Sequence, residues 1–284
     1  MIRILGTIFA GLLGLAFGSF LNVCLSRWPA GESVVKPRSH CRQCGRTLTW
    51  WENVPLVSWL ALRGRCRTCR AWIGWRYPLV ELAVGCLLAI VAWRSYNAFF
   101  PLEFAAGMMF LVWVLIGLAV LDAEHLWLPD AITLPSIALG FAWWFFQGKQ
   151  IGWALGIPPT PWEDAEEAGK RLLAILTAAG LVLLIRWVYW LIRRREGVGL
   201  GDAKLMALLA AWLGLPGALL AFVVGVVLGA FVALGQLAVP ATRNQSERWA
   251  MGKLPLGTFL CIGGIVSSLW GQTILAAYQR WAGF

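Results

Sequence analysis

Two short stretches carry the residues best suited to do chemistry. Gly199-Leu200-Gly201-Asp202 hands an aspartate to the start of an apolar run, and the stretch from Asp122 to Asp130 follows the end of another. An ionisable residue at the margin of a long apolar segment is expensive to place there and is a functional candidate by default. Two carboxylates brought together can share a proton, so that one activates water as a base while the other protonates a carbonyl oxygen. The competing readings are structural: Asp122 as a charge that stops a helix, Asp202 as an N-cap, and Asp130, after Pro129, as an N-cap too. Transport is a further use for such acids. The two histidines, His40 and His125, form no Ser-His or Cys-His arrangement that would compete.

A second constellation is made of cysteines. Four of the seven form the pairs Cys41/Cys44 and Cys66/Cys69, with 21 residues between the pairs. Two Cys-x-x-Cys turns can offer four thiolates in a tetrahedron to one Zn²⁺. Four thiolates leave no open position, so the metal is structural. The alternatives are redox-labile pairs or a loop ordered without metal. Cys24, Cys86 and Cys261 lie in apolar runs and read as small hydrophobes.

The rest of the chain must hold these groups. Of 284 residues, 60% are hydrophobic and only 13% charged, about half the charged share of a soluble domain. Apolar runs recur from end to end, which predicts an all-α polytopic membrane protein rather than a soluble domain with one anchor. Nineteen tryptophans suit membrane interfaces. The net charge of +10 is not a nucleic-acid signature, because no basic helix or stacking-aromatic motif accompanies it.

About eight spans are expected, at residues 4–25, 78–93, 103–121, 131–146, 172–192, 203–215, 218–239 and 256–278. Gly14 and Gly18 form a small-xxx-small pattern in the first. Residues 27–76 carry ten lysines and arginines against Glu32 and Glu52, which places that loop in the cytoplasm. This divides the chain into a first helix (1–25), a cytoplasmic zinc-binding loop domain (26–77) and a membrane core (78–284). Residues 148–170 then form an outer loop, and Arg193-Arg194-Arg195 marks a return to the inside. Arg243, Arg248 and Lys253 mark another inner loop. Asp122 and Asp202 come to the same inner face. The run 203–215 rises only about 20 Å against a hydrocarbon core of roughly 30 Å, which draws Asp202 below the surface. Asp202 should start its helix, near unpaired N–H groups, and Asp122 should end its own, near unpaired carbonyls. That contrast assigns Asp202 to activate water and Asp122 to protonate the carbonyl.

Taken together, Gly199-x-Gly201-Asp202, Asp122 with Leu128-Pro129-Asp130, and the double Cys-x-x-Cys loop resemble the type IV prepilin peptidases. Residues Gly18 to Val23, Gly31-Glu32-Ser33, Pro37 to Cys41, Arg76 to Glu81 and Lys253 to Gly257 look like that family as well. The short Gly-x-Gly-Asp alone is shared with presenilin-like proteases; the combination is specific and covers nearly the whole chain. The resemblance implies an aspartic endopeptidase of the bacterial inner membrane that removes basic leaders from prepilins and pseudopilins of type IV pilus or type II secretion systems. It implies Asp122 and Asp202 as the catalytic pair, with Gly199 and Gly201 as the supporting loop. It further implies N-methylation of the new N-terminus with S-adenosylmethionine, for which the chain has no Rossmann-type glycine fingerprint. Glu32 stands where the family has an acidic residue. The rival reading is a transporter using the same two acids as a proton or cation site, which calls for mid-membrane acids and repeat symmetry.

Overall fold

A computed structural model of the chain describes residues 1–98, 100–154, 160–195, 197, 199–238 and 255–283. The described residues contain no β-strand, only two isolated bridges in the cysteine loop. Helix α1 is Ile2–Arg27, α2 is the short Val57–Ala61 in the loop, and α3 is Arg76–Asn97. Leu102–His125 is α4, Asp130–Ala154 is α5, and Pro161–Arg193 is α6. The chain ends with α7, Leu200–Ala238, and α8, Leu256–Ala282. Two compact units divide it: Met1–Gly117 and Leu118–Phe284.

In the first unit, α1 packs along α3. The small residues expected to allow close packing do so: a Cβ added at Gly14 would lie 2.9 Å from the Gly85 Cα, and one at Gly18 would lie 2.7 Å from the Glu81 Cα. The loop is tied to the same ends of both helices. Arg27, buried, donates to the carbonyls of Ser33 (2.8 Å) and Pro37 (2.7 Å). Arg42 donates to the Ser26 carbonyl (2.7 Å), and the Leu56 N–H donates to the Glu81 carboxylate (2.8 Å). Inside the loop, the Arg46 guanidinium grips both oxygens of buried Glu52 and, with Thr49, holds its carboxyl down at about 2. A depressed carboxyl stabilises the fold above the ordinary carboxylate range and loses that contribution only as pH falls toward 2. The clasp therefore survives mild acid.

In the second unit, α7 is the central element. Its backbone leaves helical values at Gly214 (φ 73°, ψ 175°), two residues before Pro216. Positive φ there suits only a residue without Cβ. Trp212, just before the break, stacks on Trp143 of α5 at 5.2 Å and donates to the Ser136 carbonyl at 2.9 Å. Arg171 of α6 donates to the Ala210 carbonyl (3.2 Å) and lies over Trp144. On the other side of the break, Ser267 of α8 donates to the Gly217 carbonyl at 2.8 Å.

Six helical runs among the described residues are long and apolar enough to cross a membrane: 2–30, 76–97, 102–125, 162–193, 200–236 and 256–282. These six do not reach the eight expected. The expected segments 203–215 and 218–239 correspond to two helical stretches that meet at a kink at Gly214 and count here as one run, and α5, which contains the expected fourth span, is not among the six. The expected outer loop 148–170 is mostly helix. Thr160 and Glu163 close a capping box around Pro161 and start α6 there. Residues 155–159, with Pro158 and Pro159, lie outside the described residues, as do Arg243, Arg248 and Lys253.

Candidate active site and metal centre

Asp202 is the third residue of α7, not its N-cap. Its Oδ2 reaches back to accept the Gly199 N–H at 3.1 Å, as the third residue of a capping box does. Gly201 is the second residue of α7. At Gly201 the need is space: a Cβ would lie 3.1 Å from the Leu128 side chain. Asp130 is the first residue of α5 and pairs with Lys204 at 2.5 Å.

Asp122 lies in the last turn of α4, and the Leu126 N–H donates to its carbonyl. Its carboxylate, however, is held from another helix. Oδ2 accepts the Thr258 N–H at 2.6 Å and lies 3.1 Å from the Thr258 hydroxyl, which also donates to the Ala119 carbonyl at 3.0 Å. Thr258 is the third residue of α8. Both carboxylates therefore take an N–H at the beginning of a helix, where unpaired donors and partial positive charge favour an anion. The expected contrast, with Asp122 facing orphan carbonyls, is absent, and the division of labour built on it loses its basis.

The two aspartates are 6% and 8% exposed, and the Asp122 charge acts on Asp202. Leu128 joins their surroundings, because a Cβ at either Gly201 or Gly257 would meet its Cδ1 at 3.1 Å. Gly257 and Thr258 are the site residues that sequence reasoning did not assign. Gly257 stands at the end of a stretch noted only for its family likeness, and Thr258 had no signal of its own.

Gly257 gives a direct test of the placement of Asp122. A Cβ there would lie 2.9 Å from Oδ2 and 3.0 Å from Cγ of Asp122. The carboxylate is the movable partner, so the fold tolerates Gly257→Ala while the acid swings off Thr258. Displacement of a reacting group by about 1 Å costs on the order of 100-fold in rate. We expect turnover to fall by that factor with a melting temperature within a few degrees of wild type. Wild-type turnover in Gly257→Ala would show that this position of Asp122 does not matter.

The four cysteines come together as expected, their sulfurs all within 4.8 Å of one another. Each Cys-x-x-Cys folds as the same turn. Cys41 N–H donates to the Arg46 carbonyl and Cys66 N–H to that of Ala71, both at 2.9 Å. Each turn closes through a positive φ, at Gly45 (70°) and at Arg70 (59°). Cys41 and Cys69 Sγ are 3.7 Å apart. A tetrahedron with metal–sulfur bonds of about 2.3 Å has edges of about 3.8 Å. The N–H groups of Cys69 and Thr68 point at the Cys66 sulfur and pull that thiol down to about 6. The Ala71 N–H favours the Cys69 thiolate, but burial and the neighbouring thiols outweigh it and push Cys69 up to about 11. Four sulfurs held this close together are what a divalent cation binds. The donor set fits a tetrahedral thiolate site.

Long apolar helices, two buried carboxylates at helix starts and a separate four-cysteine cluster define an all-α membrane protein with an acidic site and a metal-fitting loop. A model of the type IV leader peptidase family matches residues 109–234, which include both aspartates, and one of the bacterial peptidase A24 N-terminal domain matches residues 12–95, which include all four cysteines. The chain belongs to the type IV leader peptidase family. A protein of Stutzerimonas stutzeri named prepilin leader peptidase/N-methyltransferase is 36% identical over 95% of this chain and 93% of its own length. Relatives of the same name from Pseudomonas putida and Myxococcus xanthus are 37% and 38% identical, over 97% and 88% of this chain and 94% and 70% of their own lengths. No solved structure matches.

Proposed function

We propose that this protein is an aspartic endopeptidase of the bacterial inner membrane that cleaves the basic leader from prepilins or pseudopilins and N-methylates the new N-terminus. Asp122 and Asp202 are its catalytic pair. The observation that carries the reading is the pair of buried carboxylates, each anchored through Oδ2 on a helix-start N–H, within the stretch that matches the leader peptidase family. Anchoring one oxygen of each leaves Oδ1 of both for water and substrate. One carboxylate takes a proton from water, and the hydroxide oxygen forms a bond to the scissile carbonyl carbon. The other, as the acid, protonates the carbonyl oxygen. The C–N bond then breaks as a hydroxyl proton of the tetrahedral intermediate returns to the second aspartate and the carbonyl re-forms, while the proton held by the first aspartate passes to the leaving amine. The assay is cleavage of a purified prepilin by wild type beside Asp122→Asn and Asp202→Asn. It also separates this reading from a proton or cation transporter, in which neither acid is needed for proteolysis.

Cys41, Cys44, Cys66 and Cys69 would hold a structural Zn²⁺. When bound, it supplies a cross-link between the two turns of the loop and leaves no coordination position for substrate. The scissile bond of a substrate with a basic leader and an apolar helix lies at the cytoplasmic face, where charge asymmetry puts residues 27–76 and 193–195. A maleimide that cannot cross the membrane tests this in a background with Cys86 replaced by serine. Thr160→Cys should react from outside and Ser33→Cys should not; the reverse pattern would invert the topology.

A further inference from the structure

An ion pair stands beside the two aspartates. Residues 126–129 join α4 to α5 and carry the chain from the Asp122 end of the site to Asp130. Within this turn the Leu128 side chain fills the space beside Gly201 and Gly257, so the turn lies against the acidic site. Asp130 then begins α5, and its carboxylate holds the Lys204 ammonium at 2.5 Å. Lys204 is two residues past Asp202 on α7. Residues two apart on a helix point to different sides, so the pair flanks the two acids and does not join them. Burial differs as well. Asp122 and Asp202 are 6% and 8% exposed, whereas the side chains of Asp130 and Lys204 are 57% and 36% exposed.

An ion pair this exposed adds little to stability, because water screens it and its side chains must be held still. It is correspondingly easy to exchange. Asp130 can take any cation that reaches the rim of the site, and its carboxylate fits an ammonium because it holds one. The substrate proposed above brings such a group in its basic leader. An extended chain covers about 3.3 Å per residue. A leader lysine or arginine a few positions before the scissile bond therefore comes to the rim while the bond lies at the two acids. Resting on the peptidase reading, we infer that Asp130 is a specificity-determining residue: it docks a basic side chain of the leader, and Lys204 holds that place until the substrate arrives. On binding, Asp130 trades one cation for another and the Lys204 ammonium turns to water. Lys204 thus competes with every leader, and a leader without a cation cannot displace it. Discrimination by such a built-in competitor trades some affinity for selectivity.

The test is steady-state cleavage by the full-length protein in detergent at low ionic strength. Two substrates are compared: a purified prepilin with its basic leader, and the same prepilin with every leader lysine and arginine changed to glutamine. With the basic leader, Asp130→Asn should raise KM about fivefold, the upper range for an exposed ion pair. Lys204→Met should lower KM by a similar factor, because it removes the competitor. The change should fall on KM and not on kcat in both, and added salt should shrink both shifts. Asparagine still suits a helix start, and methionine forms helix as well as lysine does, so both variants should fold. The neutral leader should not distinguish wild type from either variant. A purely structural ion pair predicts instead that loss of either partner moves KM in the same direction. A KM that fails to rise in Asp130→Asn or to fall in Lys204→Met, or that shifts equally with the neutral leader, overturns the docking role and leaves the peptidase reading standing. A wild type that cleaves neither prepilin overturns both.

Discussion

Asp122→Asn and Asp202→Asn should each reduce prepilin cleavage to background, a loss on the order of 1,000-fold or more. The expected size follows from what asparagine keeps and what it removes. An amide oxygen still accepts the Thr258 N–H at position 122 or the Gly199 N–H at position 202. The start of α7 and the docking of α4 on α8 are therefore retained, and melting should stay close to wild type. What vanishes is the exchangeable proton. An amide can neither take a proton from water nor return one to the carbonyl oxygen. In the proposed mechanism the two acids act as one unit, so the double variant should be no worse than either single one. Thr258→Val makes a useful companion: it removes the hydroxyl but keeps the N–H, and should cost far less than loss of either acid. Cleavage within tenfold of wild type in either asparagine variant would falsify the catalytic pair.

The second large effect should come from the cysteine cluster. Wild-type protein is expected to carry about one Zn²⁺ per chain, and Cys66→Ser or Cys41→Ser should carry well below half of that. The cost falls on the loop, because binding a structural zinc and folding its site are one process. The loop has little regular secondary structure to hold its two turns together. Its described regular structure is two short 3₁₀ turns, Trp28–Ala30 and Trp50–Asn53, the five-residue α2 and two isolated bridges. Limited proteolysis should open residues 38–75 in the serine variants while α1 and α3, packed through Gly14 and Gly18, stay protected. A chelator should do the same to wild type, and a reductant alone should not. Undiminished zinc in Cys66→Ser would remove the metal assignment, and sensitivity to reductant alone would point to disulfides instead.

Much of this architecture was legible along the chain, because the signals are local. Runs of apolar residues mark the helices, and the two Cys-x-x-Cys turns announce a four-sulfur cluster wherever the loop closes. The capping box at Thr160 and Glu163 was equally local and went unread, since the acidic, proline-rich stretch around it looked like a loop. The count of membrane crossings was less secure. Gly214 and Pro216 read as a turn between two segments, and two helical stretches do meet there at a kink where the Gly214 backbone leaves helical values; spacing alone does not say how sharply the chain bends at such a point.

The sequence by itself determined that two aspartates stand at helix boundaries and that four cysteines can share a metal. Only the tertiary structure decided what each acid touches. Asp202 is anchored three residues away, a contact that helix geometry dictates once α7 begins at Leu200. Asp122 is anchored 136 residues away, on Thr258. That bond exists because α8 starts beside the end of α4, with Gly257 leaving room for the carboxylate. Periodicity and spacing report which residues share a face of one helix; they carry no information on which helix start will supply an N–H from across the fold. For the same reason, the expected asymmetry between the two acids did not survive: it was argued from the helix that each aspartate belongs to, and Asp122 is solvated by a different one.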